Sequence, residues 1–122
     1  MAERILVIDD EEQDRKGMSI ALKKYGYNDI STASTAGEGL EMAKNLKPDV
    51  VVVDIVLKNI NGFDVCRNLK AAKGVKPLVI MITSHLDAIN GEKARHSGAD
   101  EILEKRPGFP GLGETVRKTL KK

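Results

Sequence analysis

Residues 50–53 are four consecutive valines, and Leu78 to Ile82 form a second unbroken apolar run, LVIMI. A strand with one face in water alternates apolar and polar side chains, so a run without alternation needs cover on both faces. Central strands of a parallel sheet, flanked by helices above and below, meet that need. Few other architectures do.

The rest of the chain supplies matching pieces. Short strands are expected at 4–9, 29–33, 50–55, 77–83 and 101–105. Between them lie segments of helical periodicity. Residues 12–25 carry Met18, Ala21, Leu22 and Tyr25 on one face, and Gly26 ends that helix. Ala36, Leu40 and Ala43 mark a second helix that stops before Pro48. After Gly62, the residues Val65, Cys66 and Leu69 mark a third. Residues 86–97 are expected to be helical but carry Gly91 and few apolar positions, which predicts low local stability. Leu112, Val116 and Leu120 space the last helix. Five strands alternating with five helices predict an α/β doubly wound sandwich around a parallel sheet.

The chain has 122 residues, enough for one core, so residues 1–122 are expected to form a single domain. Aromatics are 3% of the sequence, which leaves Val, Ile, Leu, Ala and Met to build the core. The net charge of +2 gives no electrostatic case for direct nucleic-acid binding. Cys66 is the sole cysteine, excludes an internal disulfide, and fits a reducing compartment as a core residue. The start, MAERILVIDD, lacks signal-peptide architecture, and no apolar run approaches the roughly 18 residues of a membrane span. A cytoplasmic location without membrane association is the expectation.

The chemistry-bearing residues fall at strand ends. Asp9 and Asp10 end the first strand, Asp54 the third, Thr83 the fourth and Lys105 the fifth. Ligands of open parallel sheets bind beyond the carboxyl ends of the strands. A strand order 2-1-3-4-5 would place three carboxylates, a hydroxyl and an ammonium on one edge, with Asp54 at the mouth of the site and not in the core. Three close carboxylates repel one another unless a cation joins them. Mg²⁺ suits such a set, because it binds one or two carboxylates and leaves positions for phosphate oxygen. Lys105 can neutralise a phosphate, Thr83 can donate to it, and Asp54 can act as a nucleophile. Each residue alone has a plainer role: Asp9 or Asp10 as a helix cap, Lys105 as a solvated side chain, Thr83 as packing. Placed together on one edge, they point to phosphoryl transfer.

The sequence here resembles the receiver domains of two-component response regulators, including the chemotaxis-type single-domain members. The resemblance runs through VIDDE at 7–11, VVVDIVLKNINGFDV at 51–65, IMITS at 80–84 and SGADEILEK at 97–105. It includes the spacings of 44 residues from Asp10 to Asp54, 29 on to Thr83 and 22 on to Lys105. It implies a flavodoxin-like sandwich with strand order 2-1-3-4-5 and a phosphorylation-activated switch that is not an enzyme beyond its own phosphorylation and dephosphorylation. Asp54 would be the phosphoacceptor, served by a sensor histidine kinase or a phosphotransfer protein. Asp9, Asp10, Asp54 and the Val56 backbone carbonyl would hold Mg²⁺, while Thr83, Ser84 and Lys105 would face the phosphoryl group. Gly62, eight residues after Asp54, also matches. The output would be a downstream protein bound through the face of helix four, strand five and helix five, from a monomer or a weak phosphorylation-dependent dimer.

The chain departs from the family pattern at three places. Lys105-Arg106-Pro107 replaces the common Lys-Pro, and a cis bond before Arg106 would cost about 2.5–4 kcal/mol, so a trans bond or a reshaped loop is expected. Ile102 stands at the usual aromatic switch position, and Lys58 where proline is common. Val56 and His85 occupy the positions that tune access of the attacking water, and both are expected to slow dephosphorylation. His96 reads as an ordinary exposed residue.

Two alternatives are open. The chain could be the receiver piece of a larger DNA-binding or enzymatic regulator. A small-molecule aspartyl-phosphate phosphatase would carry Asp-x-Asp after its first strand, where this chain has adjacent Asp9-Asp10. Neither GEGLEM (37–42) nor GLGETV (111–116) forms a dinucleotide fingerprint, and no P-loop is present.

Overall fold

A computed structural model of the chain describes residues 2–58, 60–86 and 91–122. Strands and helices alternate: β1 (Arg4–Ile8), α1 (Glu12–Tyr25), β2 (Asp29–Ala33), α2 (Ala36–Leu46), β3 (Val50–Asp54), α3 (Gly62–Ala71), β4 (Leu78–Thr83), α4 (Gly91–Ser97), β5 (Glu101–Glu104) and α5 (Leu112–Leu120). The five strands form one parallel sheet in the order β2-β1-β3-β4-β5. The expected strands differ by no more than a residue at either end, and the expected first helix coincides with α1. Of the expected helix over 86–97, residues 87–90 lie outside the described residues, and Gly91 opens α4.

The apolar runs are explained by the pleat, which sends alternate side chains to opposite faces. Val51 and Val53 join Leu6, Ile8, Val79 and Met81 in a core packed beneath α2 and α3. Val50 and Val52 join Ile5, Val7, Ile80 and Ile82 in a second core with Met18 and Leu22 of α1 and Leu112 and Val116 of α5. All four valines are fully buried, and each contributes about 1.5–3 kcal/mol by leaving water. Cys66 is buried in the first of these cores.

Local signals bound the helices, and Gly26 ends α1 as expected. Gly26 takes a left-handed φ of 117° and its N–H caps the carbonyls of Leu22 and Lys23. The Thr35 hydroxyl accepts from the Glu38 N–H at the start of α2, and the Asn61 side chain accepts from the Asp64 N–H at the start of α3. The Thr35 and Asn61 caps fix turns that follow β2 and β3 at the carboxyl end of the sheet, the end at which the site lies.

Candidate functional site

The carboxyl ends of β1, β3 and β5 meet on one edge. β1 and β3 are direct neighbours, with Ile8 level with Val53, so Asp9 and Asp54 emerge side by side. Oxygens of Asp9, Asp10 and Asp54 lie within 4.8 Å of one another. Across 51 residues of sequence, Lys105 donates from Nζ to Asp54 Oδ2 at 2.8 Å. The same ammonium donates to Asp9 Oδ2 at 2.8 Å and to Asp14 Oδ2 at 2.7 Å. A cleft of about 610 Å³ opens here, lined among others by Asp10, Asp14, Asp54, Val56 and Lys105.

Asp54 corrects one expectation. It is only 6% exposed, and thus buried, although its side chain still borders the cleft. It can be buried because both its oxygens are engaged: Oδ1 accepts the Val56 N–H at 2.9 Å and Oδ2 takes Lys105. Continuing the strand's alternation, Asp54 shares the face of Val50 and Val52, the side covered by α1. Asp9 is buried completely, with Oδ1 accepting the Glu11 N–H at 2.9 Å. Desolvation lifts its carboxyl from 3.8 to about 6, and Asp54 adds to the rise, against the lowering by Lys105 and the Glu11 N–H. For Lys105, burial opposes the charge. Hydrogen bonds to Asp14, Asp54 and Asp9 outweigh it and hold the ammonium well above its ordinary 10.5.

The other expected residues divide. Ser84 and His85 are exposed and line the cleft with Val56. Val56 is 60% exposed, an unusual state for a valine, and a bridge to Asn61 holds its backbone. Thr83 is 1% exposed, and its hydroxyl accepts the His85 N–H at 3.1 Å, so it is turned to the following loop. The Thr83 carbonyl accepts the Lys105 N–H at 2.7 Å, which places Lys105 beside β4. Ile102 is half-buried, level with Met81 and packed on the first core. Lys58 and Arg106 also border the cleft. No cis peptide occurs among the described residues, so the bond before Arg106 is trans as expected.

Gly62 has a steric reason to be glycine. A Cβ there would lie 2.3 Å from the Asp54 carbonyl oxygen and 2.7 Å from Ile55 Cα, both backbone atoms that cannot yield. Its own N–H donates to the Ile55 carbonyl at 2.7 Å. The first turn of α3 is thereby pressed against the segment that carries Asp54.

Asp14 was not anticipated. It sits in the first turn of α1, where an acid is expected merely to favour the helix N-terminus. Its distance of five residues from Asp9 was the available signal, since one helical turn returns a side chain towards the loop that precedes it. Its partner, 91 residues away, was not visible.

The donor set suits a hard divalent cation. It offers three carboxylates from three positions, one of them wholly buried and burdened by desolvation that further positive charge would relieve. Family comparison agrees with the geometry: the model of the response regulator receiver domain matches residues 5–117. The chain belongs to this receiver domain family. Among curated relatives, it is 34% identical over 105 residues to the DNA-binding response regulator MtrA of Mycolicibacterium smegmatis, covering 86% of this receiver and 45% of MtrA. It is equally 34% identical to the alkaline phosphatase synthesis transcriptional regulatory protein PhoP of Bacillus subtilis, over 86% of this receiver and 43% of PhoP. The chain therefore spans less than half the length of these two relatives.

Among solved structures, the receiver is similar to the response regulator TrrA of Thermotoga maritima in complex with Mg²⁺-BeF. The TM-score is 0.85 at 30% identity, covering 96% of this chain and 98% of that one. The chemotaxis response regulator CheY4 of Vibrio cholerae shares the fold with a TM-score of 0.84 at 22% identity, covering 98% and 99% of the two chains. Among the described residues, no helix is long and apolar enough to cross a membrane.

Proposed function

We propose that this receiver is a phosphorylation-activated signalling switch in which Asp54 accepts a phosphoryl group from a phosphohistidine of a sensor kinase or phosphotransfer protein. The observation that carries this reading is the Asp54 carboxylate itself. It is buried at the end of β3, bonded by Lys105 and the Val56 N–H, and lies within 4.8 Å of two further carboxylates. In the transfer, an Asp54 oxygen forms the new O–P bond while the N–P bond of the donor breaks. The imidazole keeps the electron pair and takes up a proton.

Asp9, Asp10 and Asp54, with the Val56 carbonyl, are the proposed holders of Mg²⁺. When bound, the ion supplies neutralisation of the charge that builds on the phosphoryl oxygens. The chain's own residues do the rest. The Val56 N–H fixes the rotamer of Asp54, and Lys105 brings a positive charge to the face from which phosphate approaches. Ser84 leaves room beside the cleft. Thr83 is proposed to rotate its hydroxyl from the His85 N–H towards the phosphoryl group, a change that can be passed to the surface of α4, β5 and α5, where a downstream protein would bind. The Mg²⁺-BeF complex of TrrA supports this reading.

Intact mass after incubation with acetyl phosphate and Mg²⁺ tests the proposal. Wild type gains one phosphoryl group and Asp54→Ala gains none; equal gain in both removes Asp54 from the role. Val56 and His85 are proposed to set the lifetime of the product. An apolar Val56 can neither orient nor activate water, so Val56→Asn is expected to lose the phosphoryl group faster. An unchanged rate defeats that assignment. A second reading, as the receiver part of a longer DNA-binding regulator, is supported by the relatives MtrA and PhoP. The gene's full reading frame distinguishes the two.

A further inference from the structure

Lys105 has three N–H donors, and all three are committed to carboxylates: Asp9, Asp54 and Asp14. The first two also belong to the group able to hold a cation; Asp14 does not. The three partners differ in setting as well. The side chains of Asp9 and Asp54 are 0% and 8% exposed at the sheet edge, whereas that of Asp14 is 32% exposed on α1 at the cleft wall. The neighbouring acid of α1, Glu12, is paired outward with Lys16.

An ammonium and a divalent cation repel one another and compete for the same oxygens. If Asp9 and Asp54 turn oxygens to a cation, Lys105 must give up part of its hydrogen bonding while only 11% exposed. A buried ammonium without a charged partner is costly. Asp14 supplies a partner that the cation does not contest. We propose that Asp14 is a positioning residue for Lys105, retaining the ammonium at the cleft when Asp9 and Asp54 engage a divalent cation. The N–H groups released from Asp9 and Asp54 then face the cleft, free to meet a phosphate oxygen. Asp14 thereby converts Lys105 from a competitor of the cation into a prepared ligand of the phosphoryl group. This inference rests on the reading of Asp9, Asp10 and Asp54 as a cation site.

Two simpler roles for Asp14 make different predictions. As a favourable charge at the start of α1, it would affect stability without involving Lys105. As one more negative charge near the cation, it would act like Glu11, which lines the same cleft without bonding Lys105. Calorimetric titration of the whole chain with Mg²⁺ alone separates them. Asp14 is one of three carboxylate partners of Lys105 without the cation but the one left uncontested with it. Its loss therefore weighs more on the cation-bound state and should raise the Mg²⁺ Kd of Asp14→Asn about fivefold. Glu11→Gln should raise it less than about twofold, as a screened charge would. Asp14→Glu, which keeps the carboxylate, should remain close to wild type. In a Lys105→Met background, Asp14→Asn should do no more than Glu11→Gln, because the coupling partner is gone.

The inference is overturned if Asp14→Asn matches Glu11→Gln, if Asp14→Glu binds as weakly as Asp14→Asn, or if the full effect survives without Lys105. The first two comparisons decide the matter even if Lys105→Met does not fold. Absence of Mg²⁺ binding by wild type would instead defeat the cation-site reading beneath it.

Discussion

The two edges of the sheet use acids differently. At the amino-terminal edge, the acids at the starts of β2, β3 and β5 are matched. Asp29 pairs with Arg4 at 3.1 Å, and Asp49 accepts the Arg4 backbone N–H at 2.8 Å. Asp100 accepts from Lys70 at 2.6 Å and from the Val79 N–H at 2.8 Å, tying α3, β4 and the start of β5 together. At the carboxyl-terminal edge, Lys105 is the one cation among the described residues that pairs with Asp9, Asp14 and Asp54, and Asp10 lies beside them. Arg15 is close, yet it donates to the Asp9 backbone carbonyl and leaves the carboxylate alone. Matched acids hold a fold together. A group of four acids sharing one ammonium, two of them buried, carries a standing demand for positive charge, and that demand is what a receiver can use.

The largest expected departure from this contrast comes from Lys105→Met. Removing the one cation from buried carboxylates should cost about 3–5 kcal/mol in EDTA, and Mg²⁺ should restore most of it. Urea unfolding under both conditions reads the effect, and an equal loss with and without Mg²⁺ would mean that the edge has no demand for a cation. At the matched edge, Asp100→Ala should cost about 1–3 kcal/mol by leaving the Val79 N–H without its side-chain acceptor and Lys70 with the Pro77 carbonyl in place of a carboxylate. That loss should be the same in EDTA and in Mg²⁺; dependence on Mg²⁺ would erase the distinction between the edges. Asp10→Asn should produce the smallest change and the opposite sign. Relief of repulsion should stabilise the chain in EDTA by about 0.5–1 kcal/mol, while Mg²⁺ affinity falls. A destabilised variant would show that the acids are not in surplus.

Much of this architecture is written locally. Val50 to Val53 must be covered on both faces whatever surrounds them, and the period-2 pleat divides them between two cores. Gly26, Thr35 and Asn61 end or begin helices through bonds to residues three or four positions away, so their signals are readable in short windows. The strand-end positions of Asp9, Asp54 and Lys105 follow from the same windows. Thr83 illustrates the limit. Its place at the end of β4 was legible, but its hydroxyl could point to the cleft or to the His85 N–H, and one torsion decides between them. Asp14 illustrates it further, because a first-turn acid has a sufficient local role and nothing nearby announces a second.

By itself, then, the sequence determined the alternation of elements, the covered strands and the edge on which the acids gather. These depend on backbone periodicity and side-chain polarity, which act over a few residues. Only the tertiary structure decided that Asp9 and Asp54 are buried, that Asp14 joins them, and that one ammonium is shared among three carboxylates. Those facts depend on desolvation and on contacts between residues 51 to 96 positions apart, which exist only once the sheet has brought its strand ends together.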